Sequence, residues 1–218
     1  MVKVYTQYRR AISSADYSYP QGAKYDNHTS WGFIREVNDA FRSKKLKVLD
    51  LGCAGGQYVI DMNSVGHLAI GLEGSDYNLV NKQFNWPNEH LFTCDISKPF
   101  YIVEYDDQVD DVMKFDLVTA WEVLEHLSKE EMGVLFSTIY SHLAENGFVL
   151  ISVGFKPNPV PGTNLDLHVT QMNEENWRVF LSYYWKVSDY PFVSAVRGFG
   201  SDLGESFLFR LDKKPEWD

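Results

Sequence analysis

Val48-Leu49-Asp50-Leu51-Gly52-Cys53-Ala54-Gly55-Gly56 is the stretch on which the reading of this chain turns. A short apolar run ends in an acid and a glycine-rich turn, and Gln57-Tyr58-Val59-Ile60 then opens a helical pattern. Strand, glycine turn and helix in that order make a ligand site. The turn lets a ligand approach the backbone, and the free N–H groups of a helix start favour negative charge. Spacing excludes two such sites. Counted from Gly52, a dinucleotide fingerprint needs glycine where Ala54 and Gln57 stand. A P-loop needs Gly-Lys, and no Gly-Lys pair occurs in the chain. Asp50, just before the first glycine, would repel a pyrophosphate and suits a ligand carrying positive charge.

Outward from the turn, strand and helix patterns alternate. Strands are expected at 46–51, 68–72, 90–94, 115–120 and 147–153, and helices at 55–64, 76–84 and 128–143, the last capped by Ser128. The run 147–153 is nearly continuous in apolar residues, as for a strand buried on both faces. This alternation predicts an α/β fold with a parallel sheet and helices on both sides. Beyond it come a proline-containing loop, a helix at 174–183 and two strands at 185–190 and 206–211. Residues 1–30 read as a loop-rich arm with one short helix. Residues 30–42 form an amphipathic helix through Trp31, Ile34, Val37, Ala40 and Phe41, capped by Asn27 or Thr29. Thus 1–45 is an N-terminal arm and helix on the lid side, 46–214 is the main unit, and together they make a single domain. The acidic run 101–111 reads as a solvated excursion.

The bulk numbers agree. Of 218 residues, 44% are hydrophobic and 15% aromatic, enough for a sizeable core. The formal charge of −10 lacks the basic footprint of a nucleic-acid binder, so nucleic acid is not the expected partner. Cys53 and Cys94 form no CxxC pair and suit a reducing compartment. No apolar run reaches the ~20 residues of a membrane span, and 1–10 lacks a secretory signal. The expectation is a cytoplasmic protein, with no membrane contact and no signal for oligomeric state.

The glycine stretch and three further motifs resemble the class I S-adenosylmethionine-dependent methyltransferases, in the small group with VLDLGCGTG and DVLEH signatures. The resemblance covers 46–153. Gly71-Leu72-Glu73-Gly74-Ser75 ends the second strand with an acid, Thr93-Cys94-Asp95-Ile96 follows the third, and Ala120-Trp121-Glu122-Val123-Leu124-Glu125-His126 follows the fourth. The chain departs from the family in having Ala54-Gly55-Gly56 where Gly-Thr-Gly is usual. The resemblance implies a doubly wound, Rossmann-like, seven-stranded sheet, mostly parallel, with the last strand antiparallel. It implies S-adenosyl-L-methionine as cofactor. Asp50, Gly52 and the backbone near Gly55 would hold the methionine end and Glu73 the ribose, with Cys53, Ala54, Gly56, Gly74 and Ser75 also binding the cofactor. Asp95 and Ile96 would hold the adenine, and Tyr58, Trp121 and Glu122 would also touch the cofactor.

For the chemistry, Glu122, His126 and His168 are the catalytic candidates. If 122–126 is helical, Glu122, Glu125 and His126 share one face and offer oxygen and nitrogen ligands to a divalent metal. The other reading, adopted here, needs no metal: these side chains fix the turn by hydrogen bonding. His168 is a candidate base, titrating near neutral pH. The expected function is methyl transfer to an oxygen or nitrogen atom of a small-molecule acceptor such as a sugar or other metabolite. The alternatives are a methyltransferase acting on RNA or protein, and a non-catalytic partner protein of the same fold.

Overall fold

The computed structural model describes residues 1–42, 44–106, 109–196 and 206–214. In chain order the elements are β1 (Val2–Tyr5), α1 (Ala15–Ser18), α2 (Gln21–Tyr25), α3 (Trp31–Ala40), β2 (Lys47–Leu51), α4 (Gln57–Ser64), β3 (Leu68–Glu73), α5 (Tyr77–Asn81), β4 (Leu91–Thr93), β5 (Tyr101–Asp106), β6 (Val109–Val112), β7 (Phe115–Trp121), a 3₁₀ turn (Leu124–His126), α6 (Lys129–His142), β8 (Leu143–Gly154), α7 (Glu174–Ser182), β9 (Lys186–Asp189) and β10 (Ser206–Asp212). Seven strands form one sheet in the order β4-β3-β2-β7-β8-β10-β9. The first five are parallel, and β10 runs antiparallel to both its neighbours. The expected fold is therefore found.

The period of two along β2 divides the core into two layers. Leu49 and Leu51 join α6 and α7 on one face through Met132, Leu135, Phe136, Ile139, Trp177 and Leu181. Val48 joins α3 and α4 on the other, with Phe33, Ile34, Val37, Val59 and Met62. Ser128 caps α6 in a reciprocal capping box with Glu131. Among the described residues, no helix is long and apolar enough to cross a membrane.

Three expectations are corrected. The run 101–111 is not a solvated excursion: β5 pairs with β1 and β6 in a small antiparallel sheet. Its acids hide Ile102 and Val103, both buried, and β1 lies too far away in sequence to signal the partnership. The arm accordingly holds a strand and two short helices rather than one helix. The cap of α3 is Ser30, whose Oγ accepts the Phe33 N–H at 3.2 Å, because Asn27 is engaged elsewhere. Pro215 and the charged tail lie largely outside the described residues.

Two buried imidazoles lock strands in place. His142 Nε2 accepts the Ile102 N–H at 2.9 Å, and His67 Nδ1 accepts the Leu46 N–H at 3.2 Å. Burial holds both pKa values below the ordinary histidine range. The unfolded chain therefore takes up these protons at higher pH than the folded one. Stability is lost as the pH falls below about 6.5. Chemical denaturation at several pH values should show this loss, with a shallower slope in His142→Gln, whose amide oxygen can still accept the Ile102 N–H. An unchanged slope in that variant would refute the assignment.

Candidate active site

A cavity of about 670 Å³ opens at the carboxyl ends of β2, β3, β7 and β8. Open α/β sheets take their ligands at that edge, and the volume lies within the range of small-molecule sites. Gly52 and Ala54 form its wall after β2, Glu73, Gly74 and Ser75 after β3, and Glu122 and Val123 after β7. Gly154 closes it at β8, and the N-terminal arm covers it from Ala11 to Asp26.

The glycine turn is shaped by close approach. Gly52 has φ +70, and a Cβ there would lie 2.6 Å from Val123 Cγ2. A Cβ on Gly55 would strike the Asn27 side chain. Asn27 Oδ1 accepts the Gln57 N–H at 3.0 Å, so the arm caps α4 from outside. Ala54 itself has φ +48, a left-handed conformation that alanine rarely takes. Two bonds hold it: its N–H donates to Glu73 Oε2 and its carbonyl accepts from Trp86 Nε1, both at 2.9 Å. Glu73 Oε1 accepts the Ser75 N–H at 3.0 Å. Asp95, with its Oδ1 held by Ser97, lines a smaller adjoining cavity of about 150 Å³ beside Ile96.

At the other end, two acids and two imidazoles meet. The stretch 122–126 is not a regular helix. Glu122 has φ +57, and only the Leu124–His126 turn follows. The strained residue at the end of β7 aims its carboxylate at Gly154: a Cβ on Gly154 would lie 2.9 Å from both Glu122 Oε2 and Glu125 Oε1 and 3.0 Å from His168 Cε1. Glu125 is fully buried, and its Oε1 accepts the Gly154 N–H at 2.7 Å. Burial, then the neighbouring Glu122 carboxylate, push its carboxyl well above the ordinary range. Glu125 Oε2 and Glu122 Oε1 have no hydrogen-bond partner among the described residues. The His126 and His168 rings meet edge to face at 4.8 Å. Ligand atoms of Glu125, His126 and His168 all lie within 4.8 Å of one another.

The structure thus gathers Gly52, Ala54, Glu73, Gly74, Ser75, Ile96, Glu122, His126 and His168 around one cavity. It does not bring every residue of the glycine stretch there. Asp50 is buried between strands, its Oδ1 accepting from Thr119 Oγ1 at 2.8 Å across the β2–β7 pair. Cys53 packs against Gly71, while Tyr58 and Trp121 join the Phe33 cluster. Gly55 and Gly56 are backed by Asn27 and Leu91. Sequence reasoning placed the arm on the lid side but named none of the residues it brings to the cavity. Asp16 and the Asp26–His28 pair, 2.6 Å apart, line the cavity, as do Lys156 and Asn158 from the loop after β8. No spacing signal links these segments, because they meet only in the folded chain.

Comparison with known proteins places this geometry. Residues 25–188 match the family described as a methyltransferase domain. A ubiquinone biosynthesis O-methyltransferase from Bradyrhizobium diazoefficiens is 29% identical over 120 residues, covering 55% of this chain and 44% of that one. Another from Glaesserella parasuis is 32% identical over 109 residues, covering 49% and 44%. The chain spans less than half the length of these curated relatives. A TehB-like SAM-dependent methyltransferase from Corynebacterium glutamicum shares its fold, with a TM-score of 0.55 at 17% identity over 92% of this chain and 96% of that one. A glycopeptide N-methyltransferase complexed with S-adenosylmethionine gives a TM-score of 0.53 at 16% identity, over 88% and 96%. The family match runs from the end of α2 into β9 and takes in the ends of β2, β3, β7 and β8 that wall the cavity, and the chain belongs to the methyltransferase-domain family.

Proposed function

We propose that the chain is an enzyme that transfers a methyl group from S-adenosyl-L-methionine to an oxygen or nitrogen atom of a small-molecule acceptor. The observation that carries this reading is the polarity of the cavity. One end is walled by the Glu73 carboxylate and the close-approach positions Gly52 and Gly74. The other holds a buried carboxylate oxygen without a partner beside two imidazoles. Glu73 fits the ribose hydroxyls, and Asp95 and Ile96 fit the adenine. Gly52 and Ala54 would lie along the methionine part. When bound, S-adenosylmethionine supplies an electrophilic methyl carbon on a sulfonium. The chain's own residues then align the acceptor, exclude water beneath the arm and take up the acceptor's proton. Glu122, His126 and His168 are the groups available for that proton. A small acceptor is favoured over RNA by where the cations lie: Lys156 is the one Lys or Arg among the described residues lining the cavity. Lys44 and Lys47 stand at the opposite, amino end of β2, paired with Asp116 at 3.2 Å and Glu104 at 2.5 Å, and Arg10 is paired with Asp76 at 3.2 Å.

A second reading concerns a metal. The convergence of Glu125, His126 and His168, with Glu122 beside them, and the partnerless Glu125 Oε2 fit a divalent cation. These residues would hold it, and it would polarise a hydroxyl acceptor as a Lewis acid. Manganese(II) titration tests this: heat that disappears in Glu125→Gln supports the metal, and no heat with the wild-type chain removes it.

The principal test is calorimetry with S-adenosylmethionine. Saturable binding is expected, weakened about 10–100-fold in Glu73→Ala, the scale of a lost charge-assisted hydrogen bond. A folded chain showing no binding at millimolar cofactor would overturn the proposal.

A further inference from the structure

We propose that Asp16, on the N-terminal arm, is a positioning residue that sets the His126 imidazole for proton transfer. The inference rests on the reading of this cavity as a methyl-transfer site.

Asp16 is placed by its own short helix. Ser14, the N-cap of α1, accepts the Asp16 N–H at 3.2 Å, which fixes the first turn of the arm above the cavity. From there Asp16 Oδ2 lies 2.8 Å from His126 Nδ1. Both side chains line the cavity and both are largely shielded, at 34% and 20% exposure. Among the described residues Nδ1 has no aligned hydrogen-bond acceptor, so the contact is close but not yet directed as a bond. Catalytic hydrogen bonds are commonly loose in an empty site and tighten once it fills.

A carboxylate at Nδ1 draws the ring's proton to that nitrogen and leaves Nε2 as the atom able to receive another. His168 carries the same pattern. Its Nδ1 lies 2.5 Å from the Lys156 carbonyl oxygen, an acceptor only, so Nδ1 must donate and Nε2 keeps the lone pair. Two rings in contact thus present the same nitrogen as base, one set by the loop after β8 and the other by the arm.

The arm's other anchors give Asp16 its significance. Ala11 N–H donates to the Gly74 carbonyl at 2.9 Å, and the Asp95 N–H donates to the Tyr8 carbonyl at 2.8 Å. Gly74 and Asp95 flank the end of the cavity assigned to the nucleoside. The same segment that covers the nucleoside therefore delivers the carboxylate to His126. Docking of the arm and setting of the imidazole are one event.

The test is ¹⁵N-histidine NMR of the full chain, free and with S-adenosylhomocysteine, with His126 assigned through His126→Gln. Wild type is expected to show His126 protonated at Nδ1. Asp16→Ala should lose that signature to a mixture of tautomers, and Asp16→Asn, whose amide oxygen still accepts, should retain most of it. The unfolding midpoint should stay near wild type in both variants. Wild-type His126 resonances in a folded Asp16→Ala chain would overturn the inference, as would a wild-type ring protonated at Nε2. Failure of S-adenosylhomocysteine to bind the wild type would instead remove the methyl-transfer reading, while the free-chain spectra would still decide the role of Asp16.

Discussion

The approach of β2 to the turn after β7 is the constraint from which the cavity follows. Gly52 turns through φ +70 directly against Val123, leaving no room for a side chain between them. That contact brings the Gly52–Ala54 backbone alongside Glu122 and Val123, so that one cavity is walled by both strand ends. Left-handed conformations at Ala54 and Glu122 lie on either side of it. Each costs of order 1–2 kcal/mol in a non-glycine residue and is kept only where the surroundings over-determine it. For Ala54 the surroundings are Glu73 and Trp86. For Glu122 they are two bonds from its N–H to Ser152, at 3.2 Å to the carbonyl and 3.0 Å to the hydroxyl.

The second organising feature is the arm. Asn27 occupies the amino end of α4, a position that a phosphate would take in other sites of this topology. On the proposed reading the cofactor would lie to the side of the turn, against Glu73 and Gly74, where carboxylate rather than helix-end N–H sets the polarity. An acid-lined cavity of this kind suits a donor bearing an amino group and a sulfonium, and the arm roofs it over.

The sequence was legible where its signal was local. Parallel strands in the main sheet appeared as apolar runs, and Ser128 appeared as a cap, because burial on two faces and a capping box both leave their mark within a few residues. Gly52, Glu73 and Glu122 were legible because a strand end followed by a turn fixes where its last side chains go. The small sheet of β1, β5 and β6 was not legible, since its acids outnumber Ile102 and Val103 and its partner strand is remote. The same limit hid Asp16 and Asn27, whose roles exist only once the arm crosses the cavity. Asp50, Tyr58 and Trp121 were drawn toward the cavity by neighbourhood in sequence. Strand alternation turns Asp50 and Trp121 into the core instead, with Asp50 bonded to Thr119, and α4 packs Tyr58 against the Phe33 cluster.

Hydrogen–deuterium exchange with and without S-adenosylhomocysteine tests most directly whether this edge of the sheet is the methyl-donor site. Protection should rise together in the arm from Tyr8 to Ala23, in Gly52–Gly56 and in Glu73–Ser75, while the outer faces of α6 and α7 stay unchanged. No change in these three segments at saturating ligand, or protection confined to another surface, would contradict it.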